Sequence, residues 1–247
     1  NDEIGKLTKS FETMISEIEK RVNDIESFAA DVAHELKNPL TSLRSASETF
    51  IQSKNKKDQK QMIEIMFKDI DRIDRLITDI SFSSRLDADL VRTKFENIDL
   101  FKLLENYISI RATKLKYKII HDQNETDIQL IGNSNKLVQV FDNLIDNSLS
   151  IIGKNCKINI KVFSKGKKIF ILFEDNGPGF PKNAINKIFD RFYTDRINQK
   201  EFGKHSGLGL SISKQIISAH NGDIFAENII NDDKKIIGAR VNIILNK

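Results

Sequence analysis

Ile4, Leu7, Phe11, Met14 and Ile18 step by 3, 4, 3 and 4 along the chain. Ile18, Val22, Ile25, Ala29, Val32 and Leu36 then continue by 4, 3, 4, 3 and 4. A stripe with this period is the seam of a coiled coil, and it predicts one long helix over residues 1–50. The successive steps of four at Met14, Ile18 and Val22 make a stutter, which locally unwinds a supercoil. It marks either a plain join between two packed segments or a junction through which an upstream rotation reaches His34. After a polar connector at 53–60, Ile63, Met66, Ile70, Ile73, Ile77 and Ile80 step by 3, 4, 3, 4 and 3. Two amphipathic helices joined by a short loop form a helical hairpin. Each has one stripe to hide, plus flanking Ala33, Phe50, Phe67 and Leu76. So thin a hairpin buries little alone, which predicts a homodimer that completes a four-helix bundle.

Within the first helix, Ala29, Val32, Leu36, Leu40 and Leu43 form the expected buried stripe. His34 lies two positions from both Val32 and Leu36, about 200° round the helix, and so points away from the stripe. Glu35 stands beside it. Pro39 lacks a backbone donor and is expected to loosen or bend the helix one turn later. An exposed histidine on a helix is usually idle, so this stretch carries weight only in combination with the C-terminal half of the chain.

Bulk properties narrow the classes. The 247 residues, 39% apolar and 30% charged, suit a soluble globular protein of one or two domains. A net charge of +4, with lysines scattered among acids and no basic stripe, argues against a nucleic-acid partner. Cys156 is the single cysteine, so one chain holds no disulfide or cysteine-rich metal site. No apolar run of about 18 residues is present to span a membrane. The chain begins at Asn1, without a Met and already in helical pattern, which suggests a fragment of a longer protein.

Residues 87–97 are polar and read as a linker. Beyond Phe95 the pattern changes to strands at 118–121, 128–131, 157–163, 168–174, 222–227 and 240–245. Helices are expected at 100–112, 135–152, 184–189 and 208–219, with a hairpin turn at 231–235. Strands with helices collected on one face make an α+β sandwich.

Three pieces of this second half carry chemistry. In Asn143-Leu-Ile-Asp-Asn147 the two asparagines are four apart and share a helix face. Their amide oxygens suit Mg²⁺ that carries phosphates and waters. In Asp175-Asn-Gly177-Pro-Gly179-Phe180 the glycines permit close backbone approach, and Asp175 can accept from an exocyclic amino group. An ordinary Gly-Pro turn is the competing reading. In His205-Ser206-Gly207-Leu208-Gly209-Leu210-Ser211 a glycine turn runs into an apolar helix whose N-terminus can bind phosphate. Between the second and third pieces lie Arg191, which can pair with a terminal phosphate or serve as a surface ion-pair residue, and Tyr193. The polar stretch 194–204 is long enough to act as a lid.

In this order the three pieces resemble the GHKL-type (Bergerat) ATP-binding domain shared by histidine kinases, Hsp90-type chaperones, MutL and type II topoisomerases. The resemblance covers residues 95–247 and implies ATP held with Mg²⁺ under the lid. Asn147 matches the family's magnesium asparagine, Asp175 its adenine-reading aspartate, and Gly177, Gly179, Gly207 and Gly209 its glycine turns. Asn143, Arg191, Tyr193, Ser206, Leu208 and Leu210 complete the implied nucleotide site. The chain departs from the family at His205, where Gly is frequent, and at Ser150, where a basic residue is frequent.

His34-Glu35-Leu36-Lys37-Asn38-Pro39 matches the histidine-kinase phosphoacceptor motif residue by residue. The whole is therefore similar to the cytoplasmic part of a bacterial inner-membrane two-component sensor. Residues 28–34, 41–45 and 84–88 also resemble the ChvG-type envelope- and acid-sensing kinases of alphaproteobacteria. Residues 2–7, with Phe11 and Met14, look like the second helix of a HAMP relay module. The implied organisation is a HAMP-like end at 1–23, a dimerisation and phosphotransfer hairpin at 24–90, and a catalytic domain at 95–247. By this resemblance His34 accepts a phosphoryl group from ATP and passes it to an aspartate of a response regulator. Glu35 would orient the imidazole, and Asn38 a water for the reverse dephosphorylation. Contact with a membrane would come only through an absent upstream segment. Two other readings stay beside it: an ATPase that cycles without phosphotransfer, and a catalytically dead dimeric scaffold.

Overall fold

The computed structural model describes residues 2–92, 94–114, 118–123, 128–181, 184–193 and 207–247, some of them by backbone alone. The chain divides into two compact units, Asn1–Ile80 and Ser81–Lys247.

The first unit is a helical hairpin. Helix α1 (Asp2–Gln52) runs for 51 residues and continues through Pro39. Proline there deletes one bond, to the Glu35 carbonyl, and the ring is buried, so packing holds the helix on both sides. Helix α2 (Lys56–Arg92) starts earlier than its polar first turn suggested. Asn55 caps it by accepting from Lys57 N at 3.0 Å, while Gln59 Nε2 donates to Ser53 O at 2.8 Å. The connector is thus 53–55 rather than 53–60. Leu76 and Ala46 are buried within the hairpin. Val32, Leu36 and Leu43 are half-buried, whereas Ala29 and Leu40, expected in the same stripe, are exposed. The linker expected from 87 is also displaced, since α2 continues to Arg92. Residues 87–92 contain no Gly or Pro, and a helix once nucleated propagates at little cost.

The second unit is an α+β sandwich. Strands β2 (Lys118–Gln123), β4 (Lys157–Lys165), β5 (Lys168–Asp175), β6 (Asp223–Ile230) and β7 (Ile236–Asn246) form one sheet in the order β2-β4-β5-β7-β6. Only β2 and β4 pair in parallel; the other pairs are antiparallel. Strand β1 (Glu96–Asp99), which has no counterpart among the expected strands, pairs with β3 (Gln129–Gly132) in a separate ribbon. Alternation on β4 and β5 buries Ile158, Ile160, Ile169, Ile171 and Phe173. Helix α4 (Ser134–Ile152) contributes Leu137, Val140, Phe141, Leu144 and Ile145 to the core, and α5 (Gly209–Ala219) contributes Ile212, Ile216 and Ile217. Helix α3 (Leu100–Lys114) adds Leu100 and Leu104.

The helix expected at 184–189 is a series of turns instead, with Lys187 N and Ile188 N both bonded to Ala184 O. So short a segment cannot recover the cost of helix nucleation, and Phe192 soon takes a left-handed φ of 58°. The turn at 231–235 closes β6 onto β7, with Asn231 N bonded to Lys235 O at 3.0 Å. Across the sheet's other face, Glu174 accepts from Lys161, Asn159 and Arg240, and Arg240 also reaches Glu227. Burial would raise the Glu174 carboxyl, but these donors hold it below the usual carboxylate range.

Candidate active site

Asp175 ends β5, and its carboxylate is held from three sides. Its Oδ1 accepts from Gly177 N at 2.8 Å and Ala239 N at 3.2 Å, and its Oδ2 from Ser148 Oγ at 2.8 Å. A carboxylate has about four lone-pair directions, so Oδ2 keeps one for a ligand donor. Gly238 is required opposite, because a Cβ there would strike the Asp175 carbonyl. Cys156 is buried nearby, and desolvation, helped by the Asp175 charge, pushes its thiol up to about 11. It stays protonated and unreactive at neutral pH.

Asn147, Ser148, Ile145, Phe173, Asp175 and Phe180 line one cleft. Two of the residues singled out from sequence, Asn147 and Asp175, are therefore brought together. Asn143, on the same helix face, is turned elsewhere. Its Nδ2 donates to Gly209 O at 2.9 Å and to Ser213 Oγ at 3.2 Å, which ties α4 to the first turn of α5. Ser150 folds back on its own helix and donates to Asn147 O at 2.6 Å.

Gly207 has a φ of 74°, and a Cβ there would come within 2.7 Å of the Phe192 backbone. That close approach sets the turn before α5 against the segment carrying Arg191 and Tyr193, both half-buried. Leu208 is buried and Leu210 half-buried. Among the described residues no side chain caps helix α5, which leaves its first N–H groups to an anion there. Ser206, His205 and the lid expected at 194–204 lie outside the described residues.

On the hairpin, His34 and Asn38 are exposed one turn apart. Glu35 Oε2 accepts from Arg72 Nη2 at 2.9 Å, so this carboxylate faces α2 rather than the neighbouring imidazole. Adjacent helix positions stand about 100° apart, which favours that choice.

Several contributors escaped the sequence reading. Ser148 follows Asn147 and was recognisable only once β5 lay beside α4. Arg111 of α3 bridges Asp142 at 2.6 Å and Asp146 at 2.9 Å, bracing α4 from a further side, and Tyr107 donates to Asp142 at 2.8 Å. Burial pushes the Tyr107 hydroxyl up, so it remains a donor. His220 accepts from Asn133 N at 3.0 Å, and its Nδ1 bonds Ile216 O at 2.8 Å. It thereby fastens the end of α5 to the cap of α4.

Comparison with known proteins agrees with this geometry. Residues 132–246 match the family described as Histidine kinase-, DNA gyrase B-, and HSP90-like ATPase, which implies ATP binding. Residues 24–89 match the His Kinase A (phospho-acceptor) domain. Sensor protein ChvG of Rhizobium meliloti is 42% identical over 97% of this chain and 43% of its own length. ChvG of Agrobacterium fabrum is 42% identical over 99% of this chain, again 43% of its own. The chain thus spans less than half the length of these relatives. The catalytic domain of histidine kinase ThkA superposes with a TM-score of 0.53 at 26% identity, over 63% of this chain and 99% of that one. ThkA solved with the response regulator protein TrrA shares the fold over 92% of this chain and 63% of its own, with a TM-score of 0.67 at 22% identity. By its two domains and its likeness to ChvG, this chain belongs to the sensor histidine kinases, in their ChvG type.

Proposed function

We propose that the chain is the cytoplasmic signalling region of a membrane sensor, which phosphorylates His34 from ATP and passes the phosphoryl group to a response regulator. One observation carries this reading. His34 stands exposed on the phosphoacceptor helix of a chain that also gathers Asn147 and Asp175 into one cleft. The functional division is 1–23 as the end of a HAMP-like relay, 24–90 as the phosphotransfer hairpin, and 95–247 as the catalytic domain.

Asp175 reads the adenine amino group through the free lone pair of Oδ2, while Ser148 and two backbone donors keep the carboxylate still. The N-terminus of α5, with Gly207, Leu208, Gly209 and Leu210, takes the phosphates. Arg191, Tyr193 and Ser206 complete that end of the site. Asn147 fits a magnesium role, because its half-buried side chain lines the cleft and forms no hydrogen bond among the described residues. Its amide oxygen would hold Mg²⁺ together with phosphates and waters. The ion supplies charge neutralisation at the phosphate oxygens.

A ring nitrogen of His34 attacks the γ-phosphorus. The P–N bond forms as the bond from phosphorus to the β,γ-bridging oxygen breaks, and ADP leaves with the electron pair. Oε2 of Glu35 is held by Arg72, so for this carboxylate to accept from the other ring nitrogen's N–H it would have to turn from α2 toward His34. An aspartate oxygen of the regulator then attacks the same phosphorus, and the P–N bond breaks. Asn38, exposed beside His34, orients water for the reverse dephosphorylation. ThkA has been solved with a response regulator protein, which supports a regulator as the partner that accepts the phosphoryl group.

A homodimer is proposed on the exposed apolar stripe. Ile4, Leu7, Phe11, Ile18 and Ile25 are each more than half exposed in a single chain, as are Phe67, Ile70 and Ile77. Apolar surface this continuous marks an interface. Labelled ATP added to the protein should give an acid-labile, base-stable phosphoprotein that His34→Ala abolishes. Label persisting in His34→Ala would sink the assignment.

A further inference from the structure

Asn228, on β6, holds both backbone groups of a single loop residue. Its Oδ1 accepts from Phe180 N at 2.6 Å, and its Nδ2 donates to Phe180 O at 2.7 Å. A side-chain amide is thus used as a neighbouring strand would be, across 48 positions of sequence. The loop fits onto this amide only because of Gly179. Its φ is 77°, and a Cβ there would lie 2.6 Å from Asn228 Oδ1 and strike the Ile236 side chain.

The register places this contact in line with the site. Asp175 pairs with Ala239 across β5 and β7, and Ala239 pairs with Asn228 across β7 and β6. Ala239 N also donates to Asp175 Oδ1. One row across three strands therefore anchors both ends of the loop, Asp175 at its start and Phe180, through Asn228, at its finish. Phe180 lines the same cleft as Asn147 and Asp175.

We infer that Asn228 is a positioning residue for nucleotide binding: its amide fixes the loop at 176–180 over the cleft, so that Phe180 and the glycine backbone meet the base and sugar side of ATP. This rests on the reading of the cleft as the nucleotide site. Asn228 acts through Phe180 and needs no contact with the ligand. Its action requires a donor and an acceptor on one side chain, and that requirement can be tested.

The whole 247-residue chain is titrated with ATP in Mg²⁺ by calorimetry, alongside thermal unfolding and hydrogen exchange at the Phe180 amide. Asn228→Ala removes two hydrogen bonds and should weaken ATP about tenfold, with faster exchange at Phe180 and a nearly unchanged Tm. Asn228→Asp keeps the acceptor for Phe180 N but, when ionised, sets a second acceptor against Phe180 O. Protonation restores the donor, so its affinity relative to wild type should recover as pH falls from about 6 toward the carboxyl range at about 4. Wild-type affinity in both variants overturns the inference while leaving the site reading intact. So does an Asn228→Ala loss that only follows a fall in Tm, together with a pH-independent deficit in Asn228→Asp. A wild-type chain that binds no ATP removes the site reading itself, and the inference with it.

Discussion

Arg72, on α2, donates through Nη2 to Glu35 Oε2 at 2.9 Å, and so holds the residue next to His34 from the opposite helix of the hairpin. The side chains are 12% and 21% exposed, so the pair is far less screened than a surface ion pair. Arg72→Ala would leave Glu35 partly buried without this donor and should cost about 1–3 kcal/mol of hairpin stability. Glu35→Gln, which still accepts through its amide oxygen, should cost less. Urea unfolding followed by circular dichroism checks the order; an Arg72→Ala chain as stable as wild type would refute it.

Among the described residues Ser148 is the one side-chain donor to Asp175, through Oδ2. Ser148→Ala should weaken ATP several-fold, the loss of one hydrogen bond of about 0.5–1.5 kcal/mol. Asp175→Asn should do more, by a factor of about thirty or greater. Its NH2 would face either two backbone donors or the ligand's own amino group. Calorimetric titration with ATP separates the two effects, and the reverse order would exclude this account of the aspartate.

Asn143 joins α4 to Gly209 and Ser213. A direct phosphate or metal ligand, when removed, weakens ATP without lowering the Tm of the nucleotide-free protein. The structure instead predicts that Asn143→Ala lowers both, by about 1 kcal/mol in stability and several-fold in affinity. Calorimetry paired with thermal unfolding decides between them, and an unchanged nucleotide-free Tm would favour the direct ligand.

His220 is buried, stacks on Phe95 with centroids 4.7 Å apart, and accepts from Asn133 N. Burial depresses its pKa below 6.5, against a smaller opposing effect of the bond to Ile216 O. Below 6.5 the unfolded chain takes up a proton that the folded chain resists. Stability from this group is therefore complete above 6.5 and is lost as pH falls from there through the lowered folded value. The Tm should drop between about pH 7.5 and 5.5, and His220→Phe should flatten that dependence while lowering the Tm at pH 7.5. Equal pH slopes in the two proteins would count against it.

Much of the architecture was legible because it is periodic and local. The 3-4 stepping of Ile63 to Ile80 marks a helix face whatever surrounds it, and alternation in β4 and β5 marks a strand in the same way. The errors were also local. Residues 184–189 have a helical composition but too few of them to nucleate, and residues 87–92, expected as linker, remain helical because no Gly or Pro in them breaks a helix. In the site, glycines at 179 and 207 could be recognised because each takes a positive φ within its own turn. Asn143 and Asn147, four apart on one helix face, could be told apart by the family resemblance but not by their spacing. One faces Gly209, 66 positions away, and the other lines the cleft beside Asp175.

The sequence by itself determined the helical seam, the exposed position of His34, the order of the nucleotide motifs and the family they belong to. Each of these depends on spacings within a turn or a strand, which the backbone's own periods impose. Tertiary structure alone decided that Glu35 pairs with Arg72, that Ser148 steadies Asp175, and that Asn228 grips Phe180. Those partners lie 37, 27 and 48 positions apart. Hydrogen bonds act over about 3 Å, so such pairs exist only once packing has brought distant segments into contact.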